Sequence, residues 1–407
     1  MTIIGWHLGN ESPITANDWQ IMLRCPPGNV VLMPSYGPSR QAITPDDGRR
    51  ILDISPRCHF LLRPYLPPSM VTNNELGRYY DECKRVIDEW SPVIPEGQRH
   101  FILFNEQNMP RWAEQYEGFG AMPDDMHRFN DAFCAGYQQL KAHNPTWLFG
   151  FSPLTIGNRD AYFWSDPEGV PYYMHGPTGA QLLSSAAMYE QAAIEGPCYP
   201  ALMLADEYYA HCYIHHAEDA YLSGIYGLRF RRYAYFSPKH VDVWITEGGY
   251  PSREHMTPAW TGPALLGWMD KLVANSHITW TVDGEKHPKM TLRGVALWIL
   301  GDHWGSMWVE NGRPRAMVDD LAKWQQDQEP ADIQRLGDAM QAHVIPQNRE
   351  AAFYVYGNDR GWQPISGEVD IDGQRCQAWY TPEDDMQHIV YCRIGDWGNI
   401  AHFDRAN

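Results

Sequence analysis

The sequence predicts a closed (β/α)8 barrel, or TIM barrel, carrying a small C-terminal β-rich appendage. Short apolar runs alternate with stretches of helical periodicity from the start of the chain to about residue 325. That is the pattern of a mainly parallel sheet. The runs are "TIIGWH", "NVVLMP", "HFLLRP", "HFILFN", "WLFGFS", "ALMLADEYYAHCY", "VDVWITE" and "RGVALWIL", the number of strands that closes a barrel. No GxGxxG follows the first run, which weakens the case for an open dinucleotide-binding sheet.

The connecting segments follow in order. Residues 16–24 are expected to form a helix, whereas 46–54 is too short to read as one. In 73–90, Leu76, Tyr80, Cys83, Ile87 and Trp90 fall at steps of four and three, the helical period. Thr72 and Glu75 have capping-box spacing at its start. Residues 124–142 repeat the period with Met126, Phe129, Phe133, Tyr137 and Leu140. Further helices are expected near 178–194, 219–235, 261–275, 318–327 and 331–344.

Beyond about residue 350 the pattern changes to hairpins: "AAFYVYG", "GEVDIDGQRCQAWY" with an Asp372–Gly373 turn, and "HIVYCRIGDWGNIAHF". The expected organisation is a catalytic barrel over 1–325 and a helix plus β-rich appendage over 326–407. Roughly 55 β residues make a small core on their own. Trp379, Tyr380, Tyr391 and Trp397 therefore suggest an appendage packed on the barrel.

Composition excludes several classes. Hydrophobic residues make up 44% of 407, enough for a large core. A net charge of −18 disfavours nucleic acid and anionic membranes and suits a neutral or cationic substrate. No apolar run has the length of a membrane span. The N-terminus "MTIIGWHLGN" lacks the basic segment and apolar core of a signal peptide. The expected location is cytoplasmic, or secreted with a leader outside this sequence. Eight cysteines without a CxxC pair suggest reduced, buried thiols.

In a barrel, chemistry gathers at the C-terminal ends of the strands. Strand three ends in Arg63, strand four in Asn105 and Glu106, and strand six in His211 and Tyr213. Strand seven ends in Thr246 and Glu247, and strand eight carries Trp298, followed by Asp302, His303 and Trp304. Two glutamates thus close strands on opposite sides of one mouth. Paired carboxylates can hydrolyse a glycosidic bond: one protonates the departing oxygen, and the other attacks the anomeric carbon or activates a water.

This set of strand ends resembles clan A of the glycoside hydrolases, retaining (β/α)8 enzymes, over about residues 1–325. "FNE" matches the Asn–Glu pair that supplies the acid/base there, at Asn105 and Glu106, and "WITEGG" matches the nucleophile at Glu247. "FLLRP" supplies the strand-three arginine, Arg63, and "ADEYYAHCY" the strand-six His211 and Tyr213. "ALWIL" supplies the strand-eight Trp298. The chain departs from the pattern at "QNMP" after Glu106, where many members have proline directly, and at "PSYG" after strand two.

The resemblance implies double displacement on a β-glycoside, without cofactor or metal, on an oligo- or polysaccharide. It implies carboxyl groups about 5–5.5 Å apart. Glu106 has to carry a proton at rest, and Glu247 has to stay ionised beside Arg63. Asn105 would bond the sugar 2-hydroxyl, Tyr213 or His211 would orient a carboxylate, and Trp298 would form a floor for a sugar ring. One alternative is a metal-dependent barrel hydrolase or isomerase using His211, Glu207, Asp206 and His303. The other is a catalytically silent barrel that binds glycan or protein, which would need neither glutamate. His215 and His216 point opposite ways if on a strand and are poor joint ligands.

Overall fold

A computed structural model of the chain describes residues 3–9, 13–34, 43–64, 66–106, 118–120, 123–153, 198–214, 227–228, 230, 239–250, 262–282, 285–300 and 308–327. It also describes the backbone of 363–371, 374–381, 388–393 and 400–405. The chain divides into two compact units, Met1–Gln325 and Gln326–Asn407.

The first unit is a closed parallel barrel, as the alternating pattern predicts. Its elements are β1 (Ile4–Leu8), α1 (Ala16–Arg24), β2 (Asn29–Leu32), α2 (Pro45–Ile54), β3 (His59–Leu62), α3 (Ser69–Thr72), α4 (Leu76–Trp90) and β4 (Arg99–Ile102). Then follow α5 (Pro123–His143), β5 (Leu148–Phe151), α6 (Tyr199–Leu204), β6 (Glu207–Tyr213), β7 (Val241–Gly249), α7 (Gly262–Ala274), β8 (His277–Val282) and β9 (Glu285–Leu300). A short hairpin, β10 (Val309–Glu310) with β11 (Arg313–Pro314), precedes the helical turns of α8 over 317–327. Strands β1 to β7 pair in chain order, β7 pairs with β9, and β9 returns to β1 to close the ring.

Local chemistry explains most of these elements. Thr15 and Asp18 cap α1 reciprocally, at 3.0 and 3.2 Å. The segment near 46–54 is a helix after all: Pro45 pre-sets its first turn, and Asp47 accepts the Thr44 N–H at 2.9 Å. Thr72 does not start α4. It closes α3, the chain then turns through Asn74 at φ 60°, and α4 begins at Leu76. Helix α4 buries Tyr80, Cys83, Ile87 and Trp90, and full burial of one such large side chain is worth about 1.5–3 kcal/mol.

One other expectation is corrected, and one is extended. "ALMLADEYYAHCY" is not one strand. Residues 199–204 form α6, with Pro200 in its first turn, and β6 starts only at Glu207. Between them Asp206 accepts from Lys141 at 3.0 Å and from the Phe149 N–H at 2.9 Å, anchoring the turn. The eighth barrel strand is the second half of a longer one. The first half of β9 pairs antiparallel with β8, and Val282 pairs with Glu285; in sequence the two are separated by Asp-Gly, the hairpin signal also present at 372–373.

The helices expected at 178–194 and 331–344, most of 219–235, the run "AAFYVYG" and the residues His215, His216, Asp302, His303, Trp304 and Trp397 lie outside the described residues. Of the six cysteines whose side chains are described, five are buried, Cys134 is half-buried, and all are free. No helix among the described residues is long and apolar enough to cross a membrane.

The second unit is a four-stranded antiparallel meander: β12 (Gln363–Ile371), β13 (Gln374–Thr381), β14 (His388–Arg393) and β15 (Ile400–Arg405). Ile371 pairs with Gln374 across the Asp372–Gly373 position.

Inside the barrel, Val31, Leu61, Ile102, Tyr209, Trp244 and Ala296 form an apolar layer, one residue from each of β2, β3, β4, β6, β7 and β9. Toward the strand starts lies a buried polar cluster centred on Glu207. It accepts from Tyr209 at 2.6 Å, from the Trp244 indole at 2.9 Å and from His100 at 2.8 Å, and His100 contacts His59 at 2.9 Å. Burial and the Glu207 charge hold the Tyr209 hydroxyl well above its usual pKa, so it keeps its proton and donates. Glu207 is thus a structural carboxylate. Glu207→Ala should cost about 3–5 kcal/mol, because three buried donors lose their acceptor. Chemical denaturation measures this, and a loss under about 1 kcal/mol would contradict the assignment.

Candidate active site

Strand ends build the site, each by a different local device. On β3 the side-chain alternation that turns Leu61 into the barrel also turns Arg63 inward. Beyond β4 the backbone leaves the sheet. The Phe104 N–H donates to the Ser152 hydroxyl at 3.3 Å, and the Glu106 N–H donates to the Pro153 carbonyl at 3.0 Å. Tyr79 donates to the Leu103 carbonyl at 2.5 Å. These anchors hold Glu106 in the left-handed region at φ 43°. For a residue other than Gly, Asn or Asp that conformation is strained, and such strain concentrates at functional sites.

Glu247 enters the mouth by a bulge. Ala210 pairs with Ile245 and His211 pairs with Glu247, so β7 advances two residues while β6 advances one. In a strand without the bulge, alternation from inward-facing Trp244 would turn Glu247 outward, against the helices. Gly248 permits the packing there: a Cβ on it would lie 2.6 Å from Val295 and 3.0 Å from Trp268.

The resulting geometry is tight. Arg63 Nη1 donates to Glu247 Oε1 at 2.7 Å, and both side chains are nearly buried, at 10% and 7% exposed. The Tyr213 hydroxyl donates to Glu247 Oε2. Burial first, then the charges of Glu247 and Glu106, push the Tyr213 hydroxyl well above its usual pKa, so it stays a donor. His211 spans the pair: Nδ1 lies 2.8 Å from Glu106 Oε1, and Nε2 lies 3.5 Å from Glu247 Oε1. Trp298 packs edge-on to Tyr213, with ring centroids 6.4 Å apart. Asn105, buried beside Glu106, lines with Arg63, Leu66, Val71 and Phe104 a small cavity of about 20 Å³.

Glu106, Arg63, His211, Tyr213, Glu247 and Trp298 therefore meet in one place, with Asn105 at its edge. Of the four residues weighed for metal binding, His303 lies outside the described residues, and the other three do not meet. Glu207 and Asp206 lie at the other end of β6 from His211, roughly 13 Å of strand away, and both are committed to the contacts above. Among the described residues, Glu106, His211 and Glu247 are the three that could hold a cation, with one donor atom each and all three atoms within 4.8 Å of one another. Arg63 already occupies Glu247 Oε1, so a cation would have to compete with a bonded guanidinium.

One residue of the site escaped the strand-end search. His7 closes the first apolar run, and its Nε2 lies 3.8 Å from Glu247 Oε1. The rule applied to strands three, four and six to eight would have found it on strand one. Its ring is fully buried and packs against Trp298, with centroids 4.5 Å apart. Burial first, then the charges of Arg63 and His211, hold its pKa well below the usual histidine value, so it is neutral at pH 7.

No known protein family matches the sequence, and no curated protein does. Among solved structures, the chain is similar to a β-glucosidase from Thermotoga maritima, solved in complex with deoxynojirimycin. The identity is 11% and the TM-score 0.46, over 81% of this chain and 97% of the other. It is also similar to a modular endo-β-1,4-mannanase from Cellulomonas fimi, at 12% identity and a TM-score of 0.47, over 99% of this chain and 85% of the other. Likeness at this level does not bear on substrate or mechanism.

Proposed function

We propose that the chain is a retaining glycoside hydrolase that cleaves a β-glycosidic bond by double displacement, with Glu106 as acid/base and Glu247 as nucleophile. The observation that carries this is the convergence of the two glutamates, a carboxylate oxygen of each lying within 4.8 Å in one barrel mouth. Inverting enzymes need roughly 6.5–9.5 Å between carboxyl groups to admit a water, whereas retaining enzymes need about 5–5.5 Å.

The surroundings favour distinct roles. Glu247 receives a guanidinium on one oxygen and a phenol on the other, both donors, which supports an ionised nucleophile. Glu106 meets an imidazole nitrogen, which can accept a proton from the carboxylic acid or donate one to the carboxylate. In the first step Glu247 attacks the anomeric carbon while Glu106 protonates the departing oxygen. In the second, Glu106 takes a proton from water as the water displaces Glu247. Tyr213 and Arg63 hold the nucleophile, Trp298 offers a face for the sugar ring, and Asn105 is assigned to its 2-hydroxyl. The substrate is an oligo- or polysaccharide, and the charge of −18 suits a neutral one.

A screen of aryl β-glycosides and polysaccharides, followed by proton NMR, tests this. The first-formed sugar should keep the β configuration. A first product of α configuration, or no turnover across the panel, would overturn the proposal. The Glu106–His211–Glu247 donor set supports a second, metal-dependent reading, under which chelation should abolish activity and a divalent metal restore it.

A further inference from the structure

His7 is a polar residue without a job in the site as described. Both ring nitrogens are buried and have no hydrogen-bond partner among the described residues. A neutral imidazole carries one donor and one acceptor, and burying both unmet costs stability. Its neighbours do not relieve it: Arg63 is bonded to Glu247, His211 Nδ1 is engaged with Glu106, and Trp298 presents its ring. An apolar side chain would pack at this position at lower cost. The position that keeps the imidazole is 3.8 Å from the oxygen of Glu247 that Arg63 holds.

We propose that His7 is a substrate-binding residue, in which the imidazole and Glu247 Oε1 together bind one hydroxyl of the sugar ring under attack. This rests on the glycosidase reading above. Two atoms 3.8 Å apart are too far for a direct hydrogen bond, but one hydroxyl oxygen can sit about 2.8 Å from each. It would accept from the imidazole N–H and donate to the carboxylate. The pair selects a hydroxyl over an anionic substituent, because a sugar carboxylate would lie against the Glu247 carboxylate. Uronic acids charged at that position are therefore poor substrates.

The test measures kcat/KM for the best aryl β-glycoside and each of its monodeoxy analogues, on wild type, His7→Leu and His7→Asn. Wild type should lose about tenfold on one deoxy analogue, a typical effect of one hydrogen bond to a buried partner. His7→Leu should lose about tenfold on the parent glycoside and nothing further on that analogue, which is the non-additivity of a direct contact. His7→Asn should recover part of the loss. The Tm of His7→Leu should be unchanged or raised, since the orphaned ring contributes no folded-state hydrogen bond. Additive losses across all analogues, or a Tm that falls together with activity in both variants, would overturn the proposal and leave the glycosidase reading standing. Absence of turnover by wild type on the whole panel would instead defeat that reading, and this inference with it.

Discussion

Glu247→Gln should reduce turnover by at least about 10⁴-fold on every substrate, because an amide cannot form the glycosyl-enzyme. The loss should be the same for good and poor leaving groups, since the missing bond is the one to the anomeric carbon. The substitution also removes the charge that Glu247 sets 2.7 Å from the nearly buried Arg63, so stability should fall, and thermal unfolding must show that the variant is folded at the assay temperature. Glu247→Ala opens space that a small anion can use. With a good leaving group, azide should attack from the nucleophile's side and yield the α-glycosyl azide. Turnover within tenfold of wild type for Glu247→Gln would remove Glu247 from the chemistry.

Glu106→Ala should behave differently, and the contrast separates the two roles. General acid catalysis contributes about 10²–10⁴-fold. Glycosides with poor leaving groups should lose about that factor, whereas a dinitrophenyl glycoside, whose departing oxygen needs no proton, should form the glycosyl-enzyme nearly as fast as in wild type. Hydrolysis of that intermediate then stalls, because no base takes the proton from water. Azide needs no base, so it should restore the second step and yield the β-glycosyl azide. Equal losses for good and poor leaving groups, or no rescue by azide, would contradict the acid/base role.

Much of this was legible in chain order. The alternation of apolar runs and helical periods predicts the barrel because each unit buries one face locally, and the period of that face is written in adjacent residues. The polar residues closing the runs pointed to Arg63, Glu106, His211, Tyr213, Glu247 and Trp298, since a barrel places all its strand ends at one mouth. His7 carried the same signal on the first strand. Asp372–Gly373 announced the hairpin in the tail, whereas the same pair of residues at 283–284, between β8 and β9, was passed over. The 199–204 helix was not legible: "YPALML" is apolar throughout, and a short apolar run is compatible with strand or helix until its surroundings choose.

Local residues named the candidates, and long-range packing decided what each one faces. Glu207 and Glu247 both stand in apolar strand sequences, yet one is locked among Tyr209, Trp244 and His100 below the apolar layer and the other opens into the mouth. The difference for Glu247 is one extra residue in β7 between Ile245 and Glu247, opposite a single step of β6. A one-residue shift of register exchanges the two faces of a strand, and only the neighbouring strand determines whether the shift occurs. The same holds for Glu106. Its left-handed backbone is held by Ser152 and Pro153 at the end of β5, far along the chain, because the energy that sustains a strained conformation comes from contacts that exist only after the barrel has closed.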